Sequence, residues 1–313
     1  MPSARRAEEP GRGPGGLPTG RAAALPSHAV IRLDAATVLL QWAVGGLLFL
    51  WVTTRGREVG IGYGWLLRGT YILMAAGAFA VGVWLDPVPV REASSLAVIA
   101  GAGVALAVSI VRRKAGVAGE RARVERRSAR VAAMTGIDRR PDGPDAETPE
   151  FPPALDLIAP IAGIPGLIAA GVAAGDPALL SVARVLVGAA FLGSISDAML
   201  LGHWYLVQPG LARKPLLEMV RWTGIIWPFE IAVLLWPVGM VSVLNGTIDD
   251  GYGGVFGWFW VACAVTTIAL VVVTRAALRE RYYSAVMAAT GLLYLAILTA
   301  FGTDLVARAV LAT

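Results

Sequence analysis

Asp197 and Glu230 are carboxylates set in two apolar runs, ALLSVARVLVGAAFLGSISDAMLLGHWYLV and RWTGIIWPFEIAVLLWPVGMVSVL. Ionisable groups at membrane depth are expensive and face a bundle interior or a wet cavity, so they are the first candidates for function. Asp197 lies ten residues before Val207, roughly 15 Å from that end of its helix. Glu230 lies eight residues after Trp222, roughly 12 Å from the same face if its helix starts there. Helices joined by a short turn are normally neighbours. Two carboxylates within about 4 Å of each other would therefore share a proton or a cation. Wide separation, with each acid on its own arginine or aromatic donor, would instead make both of them helix locks and favour a packing role for the whole chain.

The residues around this pair would shape a cavity. Proline cannot bond to the residue four before it, so Pro228 releases the carbonyl of Gly224 and Pro237 that of Val233. Thr223, Glu230 and Pro237 recur every seven residues on one face, and Ser194 lies a turn from Asp197 with Gly193 leaving space. Arg184, near the other end of its helix, is expected to anchor at the surface.

His203 opens a second candidate, GHWYLVQPGLARKPLLEMVRW. With Tyr205, Arg213, Lys214 and Arg221 it would form a pocket at the inner membrane edge for an anionic head group, phosphate or quinone. Trp204 and Tyr205 also fit a plain interfacial belt. Asp197 is about 120 degrees round the helix from His203, so the two do not make a metal site. The other histidine, His28, lies far away in the N-terminal tail, so a bis-histidine haem is not expected. The sequence names no cofactor. It has no phosphate-cradling glycine loop, paired-aspartate repeat, paired-histidine motif or serine elbow, and nothing in it demands an enzyme.

The elements that would position these residues are membrane helices. The chain has 313 residues, 56% hydrophobic and 16% charged, more apolar surface than a soluble domain can bury. With roughly 20 residues to a crossing, eight spans are expected: 35 to 53, 66 to 85, 94 to 111, 154 to 173, 178 to 207, 222 to 244, 255 to 274 and 283 to 303. The expected fold is an all-α polytopic integral membrane helix bundle. Ala97, Gly101 and Ala105, and Ala162, Gly166 and Ala170, recur every four residues, as in closely packed helices. LLRGTY and MVRWTG open the second and sixth spans alike, hinting at a duplication. Cys263 has no partner and reads as a packing residue.

Residues 1 to 33 read as a disordered tail without a cleaved signal, 34 to 111 as helices one to three, 112 to 153 as a loop, and 154 to 313 as helices four to eight. The loop is basic first, where it would extend the third span as a charged helix with Arg121 and Glu125 in register. Its acidic, proline-rich end reads as a linker. The loops after spans one, three, five and seven hold 19 basic residues, and those after two, four and six hold only Arg91. The odd loops are therefore expected to be cytoplasmic. Both termini then face outward, against the five arginines of the tail. Only Lys114 and Lys214 are lysines among 27 basic residues, pointing to a GC-rich bacterial genome and hence to a bacterial inner membrane.

The expected partners are the lipid bilayer, anionic lipid along Arg112 to Arg130, and a membrane-protein partner. The net charge of +5 sits in loops beside apolar spans without a nucleic-acid motif, so no nucleic acid is expected. The leading functional expectation is proton- or cation-coupled small-molecule transport. The alternatives are a non-catalytic subunit of a larger respiratory or envelope complex, and an enzyme or redox protein working at His203.

Overall fold

Asp34 starts the first helix. Its carboxylate accepts from the backbone N–H of Ala36 at 3.0 Å and of Thr37 at 3.3 Å, and from the Thr37 hydroxyl at 2.5 Å. That is an N-cap, which satisfies donors that a helix start leaves open. The computed structural model describes residues 34–136, 149–175, 177–236 and 239–312. The tail 1–33 and Pro237 therefore lie outside the described residues.

The first helix, α1 (Ala35–Thr54), is the central post of an all-helical bundle. Its apolar window is 72% buried, against 33 to 56% for the other long apolar helices, as suits a helix hydrophobic all round. α2 (Ile61–Leu85) and α3 (Pro89–Val111) pack beside it as a hairpin. A short α4 (Ala118–Thr135) follows, then a 3-10 turn, Pro153–Leu157, that leads into α5 (Ile158–Ala174). α6 (Ala178–Val207) crosses α1 where Gly45 meets Ala189 and Gly193; a Cβ on Gly45 would run into the Ala189 carbonyl, and one on Gly193 into the backbone of Gly45. α7 (Lys214–Leu235), a one-turn α8 (Met240–Leu244), α9 (Val255–Ala277) and α10 (Tyr283–Leu311) complete the chain, α10 packing on α9 and α6.

Small residues do set the α3–α5 interface. A Cβ on Gly101 would sit 3.2 Å from the Ala159 backbone, and Ala105 and Ala170 are buried. Ala97, however, faces outward.

Seven of these helices are long and apolar enough to cross a membrane. The chain is a polytopic helix bundle, and its sides carry exposed apolar residues such as Leu73, Val172, Val272 and Leu298. The expected 222–244 span is the one that differs. α7 begins at Lys214 and stops at Leu235, and its first two turns hold Lys214, Glu218 and Arg221, so no window of it is uncharged enough to count with the other seven. The third span also ends where it was expected to continue. A 3-10 turn, Arg113–Ala115, and Gly116 at φ 57° separate α3 from α4, and positive φ favours glycine there. Arg121 turns from Glu125 to pair with Glu150.

The four basic loops meet at one end of the bundle. Arg55 pairs with Glu218 at 2.5 Å and Arg57 with Glu150 at 3.1 Å. Arg213 donates to the carbonyls of Arg281 and Tyr282 at 2.9 Å each. Glu150 is thus a clamp, since Arg112 also donates to its carbonyl.

Candidate functional site

Asp197 is wholly buried on α6. Its Oδ1 accepts from the Tyr71 hydroxyl, and Tyr63 donates to its backbone carbonyl at 3.3 Å. Tyr71 reaches it because its ring lies over Gly46, where a Cβ would overlap the ring. The other carboxylate oxygen, Oδ2, has no hydrogen-bond partner among the described residues. Ser194 donates to the Phe191 carbonyl at 2.9 Å, so its hydroxyl serves its own helix. Thr223 likewise donates to Met219, at 3.2 Å.

Glu230 is also wholly buried, and both of its carboxylate oxygens lack a partner among the described residues. The charges acting on it are those of Asp304, Arg308 and Arg184. Arg308 Nε donates to Asp304 Oδ2 at 2.8 Å, one turn apart on α10. Arg184 is buried, not anchored at the surface, and its Nε donates to the Val233 carbonyl at 2.7 Å. That is the carbonyl expected to be released by Pro237. Pro228 is on the exposed side of α7, away from Glu230.

Gln41 completes the group from α1, donating to the Val185 carbonyl at 2.7 Å. Gly188 makes room for it. A Cβ there would lie 2.8 Å from Gln41 Nε2, 3.3 Å from Asp304 Oδ1 and 3.6 Å from Arg308 Nη2. Gln41 Oε1, Asp304 Oδ1 and Arg308 Nη2 have no partner among the described residues. A small cleft of about 10 Å³ lies between Arg308 and the cluster of Asp34, Asp86 and Arg91 at the end away from the basic loops. That is about the space one water needs.

Asp197 and Glu230 do not meet. Arg184 binds the carbonyl of Val233, so α6 at residue 184 is level with α7 at residue 233. Glu230 is then level with about residue 187, roughly 15 Å along α6 from Asp197. The expected match in depth fails because α7 starts at Lys214, eight residues before Trp222. Each acid has its own neighbours.

The edge pocket does not assemble either. His203 faces outward, with Nδ1 3.2 Å from the Tyr294 hydroxyl. Tyr205 points inward and donates to the Ala212 carbonyl. Arg213 holds the α9–α10 loop, Lys214 lies in a groove with Arg55, Glu58 and Glu218, and Arg221 is exposed.

Three ion-pair clusters escaped the sequence reading. Arg68 forks onto Asp156 at 2.7 and 2.8 Å, under Phe151 and beside Thr54 and Ser109. Arg91 binds Asp34, Glu92 and the Asp86 carbonyl. Asp304–Arg308 is the third, and its i, i+4 spacing was a readable signal; the expected last span stopped one residue before it. The buried Arg68 and exposed Arg221 also dispel the duplication suggested by LLRGTY and MVRWTG.

Searches of protein-family models, of curated proteins and of solved structures found no match.

Proposed function

We propose that the bundle handles protons in the membrane, with Glu230 as the group that gains and loses the proton. One observation carries the reading: a wholly buried carboxyl with no hydrogen-bond donor among the described residues, within electrostatic reach of Asp304, Arg308 and Arg184. An ionised carboxylate there is balanced by two arginines, and a protonated one leaves Asp304 with them. With Asp304 counted, the first state is neutral and the second carries one net positive charge, so a proton gained at Glu230 changes the charge of the buried cluster. A water-sized cleft lies beside Arg308 at one end of this cluster. Coupling to a small solute, residence in a bacterial inner membrane and a cytoplasmic position for the basic end belong to the same proposal. The last follows the excess of arginine in four loops.

The second reading is a non-catalytic subunit. It is favoured by the Arg68–Asp156 and Arg91–Asp34 clusters, which tie α1, α2, α3 and the Pro153–Leu157 turn together as pure fasteners. The His203 reading draws no support from residues that face different ways.

Proteoliposomes loaded with a pH-sensitive dye decide between the two readings. Under an imposed potential, wild type should pass protons faster than empty vesicles. Glu230→Gln and Asp304→Asn should cut that flux at least ten-fold, while Asp197→Asn leaves most of it. Wild-type flux equal to empty vesicles sinks the proposal. So does a Glu230→Gln protein that conducts normally, whatever its thermal stability.

A further inference from the structure

Beyond proton handling, a groove of about 710 Å³ between α4 and the end of α6 is strongly charged. One wall is arginine: Arg123, Arg126, Arg127 and Arg130, with Glu120 the single acid among the lining residues. The spacing 123, 127, 130 puts these on one face of α4. The facing wall is Val207 and Gln208, Pro209, Gly210 and Ala212 of the loop that follows it.

Two further observations point to a ligand. Arg123 Nη2 is buried at the groove with no partner among the described residues. Like charges one turn apart also weaken an isolated helix, and α4 buries no residue of its own against the bundle. Its first turn is fastened, Gly119 N–H donating to the Arg57 carbonyl at 2.9 Å. The rest of the arginine face lines the groove.

The groove also straddles a boundary. Val207 is 63% exposed at the last turn of an apolar helix, Gln208 follows it directly, and Arg213 and Lys214 come within seven residues. A ligand that fits carries negative charge on a head and apolar tails beside it. We propose that this groove binds the head group of an anionic phospholipid, its acyl chains lying along the exposed end of α6 at Leu206 and Val207. Bound phosphate would relieve the repulsion along α4 and hold that helix on the membrane surface.

The test uses full-length protein in detergent with added phosphatidylglycerol, phosphatidylcholine or inorganic phosphate, retained lipid being counted by native mass spectrometry. Wild type should retain phosphatidylglycerol at least ten-fold over phosphatidylcholine. The triple variant Arg126→Gln, Arg127→Gln, Arg130→Gln should lose that preference, and the matching lysine triple should keep most of it. Raising salt should weaken retention, because exposed charges are screened. A phosphatidylglycerol with a photoreactive acyl chain should crosslink to the peptide holding Val207. Inorganic phosphate displacing the lipid at equal concentration would make this a free-anion site and overturn the lipid assignment. Equal retention of both lipids, or a glutamine triple that behaves as wild type, would overturn the site itself.

Discussion

Arg68 and Asp156 show what a single buried pair does in this protein. Their side chains are 2% and 1% exposed, two N–H groups meet two oxygens, and the Phe151 ring covers the guanidinium with its centroid 4.4 Å away. Such a pair adds little net stability over an apolar replacement, yet removing one partner strands the other. Asp156→Asn should therefore destabilise the protein by about 3–5 kcal/mol in thermal unfolding in detergent. A loss under about 1 kcal/mol would mean that water reaches Arg68 once the acid is gone. Tyr71→Phe is the milder counterpart at Asp197, removing one donor at about 1–3 kcal/mol. The contrast with Glu230 lies in the partners: Asp156 has both oxygens bound, Asp197 one, Glu230 neither. The proton-handling proposal rests on that gradient.

At the scale of helices, glycine decides how closely two can pack. Gly45→Ala would push a methyl into the backbone of α6, whereas Gly103→Ala meets nothing within 4 Å. The first should cost about 1–3 kcal/mol or more by overpacking, and the second should stay within about 1 kcal/mol of wild type. Similar melting temperatures for the two would contradict the α1–α6 crossing. α9 has a different device at its start. Asp250 accepts from the N–H groups of Tyr252, Gly254, Phe256 and Gly257, and the Gly254 bond does most to hold its carboxyl below the ordinary 3.8. A depressed carboxylate stabilises above its unfolded pKa and stops doing so as pH falls through the folded one. Stability from this cap should thus persist at neutral pH and fade below about 4, a fading that Asp250→Asn abolishes. Helix existence was readable from apolar runs of about 20 residues, because hydrocarbon thickness sets that length. Helix ends were not, since charge at Lys214, Glu218 and Arg221 looked like loop. Those eight residues moved Glu230 by two turns and put it under the charge of Asp304 rather than of Asp197.

For the whole molecule, the arrangement of charge decides which way the bundle sits and how often it crosses. At one end Arg55 ties the first loop to the start of α7, Arg57 ties it to Glu150, Arg213 holds the α9–α10 loop, and Arg112 and Arg121 hold Glu150 within the long loop. The other end holds Asp34, Asp86 and Arg91. The sequence showed this division in its loop counts, but not that Glu150 and Glu218 would draw the loops together. α7 is the test of the crossing count. It spans about 33 Å from Lys214 to Leu235, enough for hydrocarbon, and beyond its first two turns Glu230 is the one charged residue. It also packs along α6 and α9, which meet the criteria for crossing. α7 should therefore cross as an eighth span, placing Ala212 and Tyr252 on opposite sides. Cys263 is the sole cysteine, so Cys263→Ser gives a clean background for Ala212→Cys and Tyr252→Cys. An impermeant maleimide should label the Tyr252 position in intact cells and the Ala212 position only after permeabilisation. Labelling of both before permeabilisation would leave α7 on one side of the membrane, with Glu230 outside the potential it would need to sense. The reverse pattern would keep the crossing and invert the bundle, putting the arginine groove against the opposite leaflet.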